Sequence, residues 1–401
     1  MATRIRCRSA AADRALLGLL TVWLAWAIAC AGVSAATPVR GVTADRILIG
    51  LEADTASFSS DEENLGMRLV MAEVNARGGI EGRRLEARGY ARQDGAAIDE
   101  QVANARHLVE EDGVFLLFNM GGPAAVRIAP YAMSRKVPYM FPHSALVTAD
   151  ADRYVFTSFP RYEGETTVMF KYLSATRGFA RLGIVHDANE YGRYFRDRLA
   201  ALAPELGYTM AGAEAVTERK PGDLIGLLRH LRQSRPEAVI LALYPEQAQA
   251  VMKARAALGW DSVRMVATGP LTDEQYLEVQ GASADGTIGF CLYPDPNTDD
   301  SPGVAAYRHL MAQHYPGRPL NRYSLYGYVF GRLVEKGLRR AGRDLTTEGF
   351  IAAMESIREW DSGGVIPPVS FSAANHHAQR AGFICELRAG HFEPATGWIA
   401  P

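Results

Sequence analysis

Residues 114–145 read VFLLFNMGGPAAVRIAPYAMSRKVPYMFPHSA. An apolar run of strand length, 114–118, breaks into Asn119-Met120-Gly121-Gly122 and resumes as a helix-like pattern over 123–135. A second apolar run, 137–141, then ends in Pro142-His143-Ser144-Ala145. Strand, glycine turn, helix and strand make a βαβ unit, and Pro123 suits a first helical position because its missing N–H needs no partner there. Two such strand ends side by side present free backbone N–H groups and the Ser144 hydroxyl at the carboxyl edge of a parallel sheet, where open α/β sheets place their ligands. Gly121 and Gly122 allow close approach to the main chain. The same pattern also fits an ordinary βαβ turn without a ligand.

The alternation extends in both directions. Upstream, 46–51 is a strand, and Asp61-Glu62-Glu63 opens a helix that closes at Gly78-Gly79. A strand over 84–90 and a helix over 98–111 follow, and 154–158 is a strand leaving this lobe. The pattern then restarts, with strands over 181–186, 208–216, 238–243 and 263–268 separated by helices over 190–206, 223–233 and 245–258. A strand over 284–293 precedes helices over 303–314, 320–342 and 346–358, and the end, 365–399, is strand-like with Gly and Pro turns. Helices arriving after a second sheet imply that the chain returns to complete the first lobe. The expected fold is α/β, with two Rossmann-like lobes bearing parallel sheets: 44–160 plus 294–368, and 161–293 plus 369–401. Several crossings between lobes make a hinge and a cleft suited to closing on a ligand.

The first residues carry Arg4, Arg6, Arg8 and Arg14, an apolar run over 15–32 and the small residues Val33-Ser34-Ala35. This is the pattern of a secretory signal peptide over 1–35, and the run is shorter than the roughly 20 residues of a membrane span. Ala27-Ile28-Ala29-Cys30 is close to a lipoprotein box, with alanine where an aliphatic residue is usual. An exported chain meets an oxidising compartment, so Cys291 and Cys385 are either a disulfide or two buried thiols. The formal net charge of −2 with interspersed charges favours neither nucleic acid nor a membrane surface as partner.

Catalytic motifs are lacking: no G-x-S-x-G, no phosphate loop, no H-E-x-x-H and no G-x-G-x-x-G after a strand. No cofactor is expected, and the chain does not read as an enzyme. His376-His377 with His391 lacks an acidic residue at ligand spacing, so no metal is expected. Each lobe offers aromatic groups at strand ends, Tyr191 after His186-Asp187 and Tyr244 after Leu243, which stack on a ligand or pack in a core.

Taken together, ILIG at 47–50, the turn Asn75-Ala76-Arg77-Gly78-Gly79-Ile80-Glu81-Gly82-Arg83-Arg84, the segment 103–109, the Gly-Gly-Pro-Ala turn, Val137-Pro138 and His186-Asp187 with Tyr191-Gly192 resemble the type I periplasmic solute-binding proteins of the branched-chain amino acid transport family. The similarity runs from about residue 46 through the final strands. It implies a three-crossover hinge, closure on a small ligand and delivery to the membrane permease of an ABC importer. Carried over position by position, the resemblance places the ligand carboxylate at Gly121 and Gly122 and at His143, Ser144 and Ala145, with Tyr191 and either Leu243 or Tyr244 opposite. Glycine where the family often has Ser or Thr leaves only backbone donors at the first turn, so Ser144 becomes the hydroxyl donor.

One departure bears on the ligand. Amino acid binders of the family carry an acidic residue after a strand-end Gly-Pro to hold the ligand ammonium, and here Thr268-Gly269-Pro270 is followed by Leu271. An ammonium desolvated without a partner costs several kcal/mol. A carboxylate without an amine, lying against Phe58, Tyr191 and Tyr244, is therefore expected. Amino acids and amides stay open if Glu52, Asp54 or Glu246 supplies the charge. Arg161 near the first crossing is a carboxylate partner or a solvated hinge residue. A sensor presenting its closed form to a signalling receptor is the alternative to an importer component.

Overall fold

Ile47, Leu48 and Ile49 are all buried, which an alternating strand allows only when both faces of its sheet are covered. The computed structural model describes residues 38–52, 58–91, 98–147, 153–216, 223–273 and 284–401. The first sheet consists of β1 (Arg46–Gly50), β2 (Arg84–Arg88), β3 (Leu116–Phe118), β4 (Tyr139–Met140) and β5 (Val155–Phe156), in the order β2-β1-β3-β4-β5 and parallel throughout. Ile47, Ile49, Leu116 and Phe118 face one core, with α1 (Phe58–Ala76). Leu48 and Leu117 face the other, with α2 (Ile98–Glu110) and α3 (Ala125–Ser134).

After β5 come α4 (Tyr162–Lys171), β6 (Arg181–Asp187), α5 (Glu190–Leu206), β7 (Thr209–Val216), α6 (Leu224–Gln233), β8 (Ala238–Ala242), α7 (Pro245–Ala257), β9 (Arg264–Ala267) and β10 (Ile288–Cys291). The chain returns to the first lobe as α8 (Pro302–His314), α9 (Arg322–Ala341) and α10 (Thr347–Glu355), then rejoins the second sheet as β11 (Phe383–Arg388) and β12 (His391–Pro394). The second sheet runs β12-β11-β10-β9-β8-β6-β7, parallel up to β10 and antiparallel at β11 and β12. Three crossings join the lobes, between β5 and α4, between β10 and α8, and between α10 and β11. Cys291 of β10 and Cys385 of β11 form a disulfide with their Cα atoms 6.0 Å apart, which decides between the two expected thiol states.

Helices α1 and α9 cross where each presents a glycine. A Cβ on Gly327 would lie 1.8 Å from Glu63 O, and one on Gly66 would lie 2.1 Å from Ser324 O. That contact carries the first turns of α1 to the carboxyl edge of the first sheet.

The expected strands over 137–141 and 154–158 shrink to two residues each. Phe141 takes φ 56 and ends β4, its N–H still bonded to Phe156 O at 2.6 Å, and Thr157 bridges to His377. Much of 365–399 is loop with isolated bridges rather than strand.

Candidate functional site

Strand order reverses beside β1 and β3 in the first sheet and beside β6 and β8 in the second, and ligands of open α/β sheets lie outside the carboxyl ends at such points. Both ends carry polar and aromatic side chains. At the end of β3, Asn119 adopts φ 51 and donates from Nδ2 to Glu63 Oε2 at 2.7 Å. At the end of β4, Phe141 is held at φ 56, a left-handed backbone that costs a bulky residue on the order of 1–3 kcal/mol and clusters at ligand sites. Gly121 has φ 100, where a Cβ would press on Ala125 N and Ile128 Cδ1 at 2.9 Å, so the turn requires glycine. Around Gly122 a Cβ would meet nothing within 4 Å.

His143 keeps 20% of its side-chain surface and sets Nδ1 2.6 Å from Oε1 of Glu63, whose own side chain is 1% exposed. Burial alone lowers an imidazole, but the Glu63 carboxylate outweighs it, and His143 titrates above its usual range. Ser144 is buried, and its Oγ receives the Leu146 N–H at 3.3 Å. The Ala145 amide meets the hydroxyl of Tyr162, the first residue of α4. The loop 143–145 of the first lobe therefore abuts the second.

The second lobe answers with aromatic rings. Tyr191 lies 5.3 Å from Tyr162 and 5.6 Å from Tyr244, centroid to centroid. Its hydroxyl is 2.7 Å from Thr268 Oγ1. Polar links fix the loops that carry these rings. Asn189 caps α5 by accepting from Gly192 N, and Gln247 accepts from Tyr244 N while donating to Asp187 Oδ2 at 2.8 Å. Helix α9 closes the seam: Tyr323 Oη donates to Pro270 O at 2.7 Å, Arg322 N to Asp273 Oδ2 at 2.8 Å, and Tyr326 Oη to Phe141 O at 2.9 Å. Phe159 stacks on Tyr326 at 5.2 Å and meets the His143 ring edge-on.

Gly121, Gly122, His143, Ser144, Ala145, Tyr191 and Tyr244 thus lie at the facing strand ends. Leu271 follows the end of β9 in the short 3-10 turn Gly269–Leu271, and its side chain, 0% exposed, belongs to the second lobe's core with Val185 and Leu241. Phe58 opens α1, but its side chain lies outside the described residues, as does Asp54. Glu52 is buried and accepts from Gln101 Nε2 at 3.2 Å, whereas Glu246 is exposed. Arg161 Nη2 lies 3.5 Å from His377 Nε2. His376 stacks on Phe156, and His391 Nδ1 lies 2.9 Å from Asp295 Oδ2.

Sequence reasoning missed Glu165. It projects from α4, is 4% exposed, and accepts the Gly269 N–H on Oε1 at 2.9 Å. A carboxyl group therefore stands at the Thr268-Gly269-Pro270 edge although residue 271 supplies none. Burial pushes it up to about 7, offset in part by the Gly269 N–H. Tyr293, buried and with no hydrogen-bond partner for its hydroxyl among the described residues, and Glu63 are further polar groups that periodicity could not place here. A separate hollow of about 430 Å3 opens on α8 and α9, lined by Ala306, Tyr328, Arg332, Glu335 and Trp360. It contains none of these strand-end residues, and its Arg332 is already paired with Glu73 and Glu335.

The family described as "Periplasmic binding protein" matches residues 48–391. The Leu/Ile/Val-binding protein homolog 3 of Brucella melitensis is 23% identical over 301 residues, spanning 74% of this chain and 78% of that relative. Among solved structures, a possible leucine/isoleucine/valine-binding protein from Rhodopirellula baltica superposes with a TM-score of 0.78 at 21% identity, covering 90% of this chain and 98% of the other. A branched chain amino acid ABC transporter protein from Thermus thermophilus with bound valine gives 0.77 at 17% identity, covering 88% and 96%. A fatty acid ABC transporter substrate-binding protein from Thermomonospora curvata gives 0.79 at 20% identity, covering 91% and 95%. With its two parallel-dominated sheets, three crossings and facing strand ends, this chain belongs to the periplasmic binding protein family.

Proposed function

We propose that this chain is the exported solute-binding component of an ABC importer, with residues 1–35 as its signal peptide. It captures a small carboxylate-bearing ligand between the lobes 44–160 plus 294–368 and 161–293 plus 369–401. The observation that carries this reading is the pair of left-handed strand ends at Asn119 and Phe141, beside the Gly121-Gly122 turn, the Ser144 hydroxyl and the protonatable His143. Backbone N–H groups with one hydroxyl suit an anion. Valine and fatty acids, named for the Thermus and Thermomonospora proteins, have a carboxylate in common and differ in the amine. Closure would set Tyr191, Tyr244 and Tyr162 on the rest of the ligand, and the closed form would be favoured by those added contacts. The membrane permease of the importer would read that form.

An amine on the ligand is the point where two readings part. Leu271 faces the core and therefore excludes nothing, and Glu165 gives amino acids a specific observation in their favour. The test is a thermal-shift screen of residues 36–401 against amino acids, amides, aromatic acids and short aliphatic acids. A ligand at a hundredfold excess over its dissociation constant adds about 2.7 kcal/mol of stability. Shifts confined to compounds without a carboxylate would end this reading.

A further inference from the structure

We propose that Glu165 takes part in capture as a neutral carboxylic acid, donating a hydrogen bond from its protonated oxygen to an oxygen at the far end of the bound carboxylate, so that capture takes up a proton. This rests on the carboxylate reading above. The side chain is almost wholly buried, and one main-chain N–H, from Gly269, is the hydrogen bond it receives among the described residues. The titratable groups facing it are phenols: Tyr162 on its own helix, Tyr191 on α5, and Tyr244 after β8 in ring contact with Tyr191. Burial holds the Tyr162 and Tyr191 hydroxyls well above the ordinary phenol range, so neither exchanges a proton near neutrality. The charged groups of the first lobe nearest this seam already have partners: His143 faces Glu63, and the Arg322 guanidinium of α9 donates to Tyr293 O and Phe392 O.

An ionised carboxylate in such a place is expensive, and a group so placed neutralises instead. Its titration near 7 agrees with that geometry. The Gly269-Pro270 turn, which positions Glu165, touches Tyr323 of the first lobe, so this carboxyl stands at the seam that closure completes. A ligand already carrying one negative charge adds to the cost of ionisation and holds the proton in place. The matching ligand class is a carboxylate with a second oxygen acceptor, such as an oxo, hydroxy or second carboxyl group. The balance is simple: one proton enters from solvent with the ligand and leaves with it, and no covalent bond changes.

The experiment is titration calorimetry at pH 6 and pH 8 on the wild type and Glu165→Gln, with 4-oxopentanoate, succinate, 4-hydroxybenzoate and leucine as probes. For a group titrating near 7, the protonated fraction falls about tenfold between those pH values, so the affinity for the binding oxo, hydroxy or dicarboxylic probe falls about tenfold. Glutamine, a permanent donor, keeps the pH 6 affinity within about threefold and abolishes the pH dependence. Leucine binding that tightens from pH 6 to pH 8 and is lost a hundredfold in Glu165→Gln would overturn the inference and assign Glu165 to an ammonium. If no carboxylate probe binds, the carboxylate reading itself fails. The protonation state is then read in the free protein by infrared spectroscopy: a protonated-carboxyl band at pH 6 that Glu165→Gln removes supports the neutral acid, and its absence in the wild type overturns it.

Discussion

Glu165→Gln should make the stability of this protein less sensitive to pH, and the size of the effect follows from its surroundings. The carboxyl titrates near 7 in the folded chain against 4.5 for the ordinary group. Between those values the folded state holds a proton that the unfolded state has released, so stability falls as pH rises through the interval. At about 1.4 kcal/mol per pH unit, the gap comes to roughly 3 kcal/mol, present below pH 4.5 and lost by pH 8. Glutamine fills the same volume, keeps an oxygen for the Gly269 N–H and has nothing to ionise. The difference in unfolding free energy, variant minus wild type, should therefore rise by roughly 3 kcal/mol between pH 4.5 and pH 8. Urea denaturation of both proteins at half-unit pH steps measures it directly, with the slopes checked for equality so that midpoints report stability. Parallel stability curves across that range would refute the reasoning, because they would mean that the carboxyl is solvated or partnered in the folded state.

Three further outcomes are expected. Removing the disulfide with paired Cys291→Ala and Cys385→Ala changes opens a loop with a sequence separation of 94, and the loop-entropy model sets its loss at about 4 to 5 kcal/mol, to be read as a lower melting temperature that reducing agent no longer changes. Glu63→Gln removes the carboxylate that holds His143 above its usual range, so the imidazole midpoint followed by NMR should move down; an unchanged midpoint would mean that another group sets it. Gly327→Ala forces a methyl onto Glu63 O, for which 1.8 Å is available, and should cost about 1 to 3 kcal/mol by chemical denaturation while weakening ligand binding, because Glu63 rides on the displaced helix.

The strand and helix order was legible because both sheets are covered on both faces, and this writes unbroken apolar runs such as 238–243 between amphipathic helices. Helix α5 covers 190–206 as expected, and the structure shows Asn189 and Gly207 as its two caps. Strand length was less legible at the ligand edge. Phe141 has strand chemistry but a left-handed backbone, and Tyr326 takes its carbonyl. The burial of Leu271 was not legible, because a single 3-10 turn decides whether a side chain enters the cleft or the core, and Thr268-Gly269-Pro270 is compatible with either. Glu165 looked like any acidic residue in a first helical turn, where the macrodipole favours one. What buries it is the end of β9, about a hundred residues away in sequence, and no local pattern records that approach. Glu63 was visible only as part of an acidic helix start, and its link to His143 and Asn119 depends on the Gly66 and Gly327 crossing.

The most direct measurement of the central claim is a crystal structure of the mature chain grown with the compound that gives the largest thermal shift. The account predicts that compound between the lobes, its carboxylate on the Gly121-Gly122 turn and Ser144 and its other end among Tyr162, Tyr191, Tyr244 and Glu165. Density for it in the hollow beside Trp360 and Arg332, with the strand ends empty, would contradict the account.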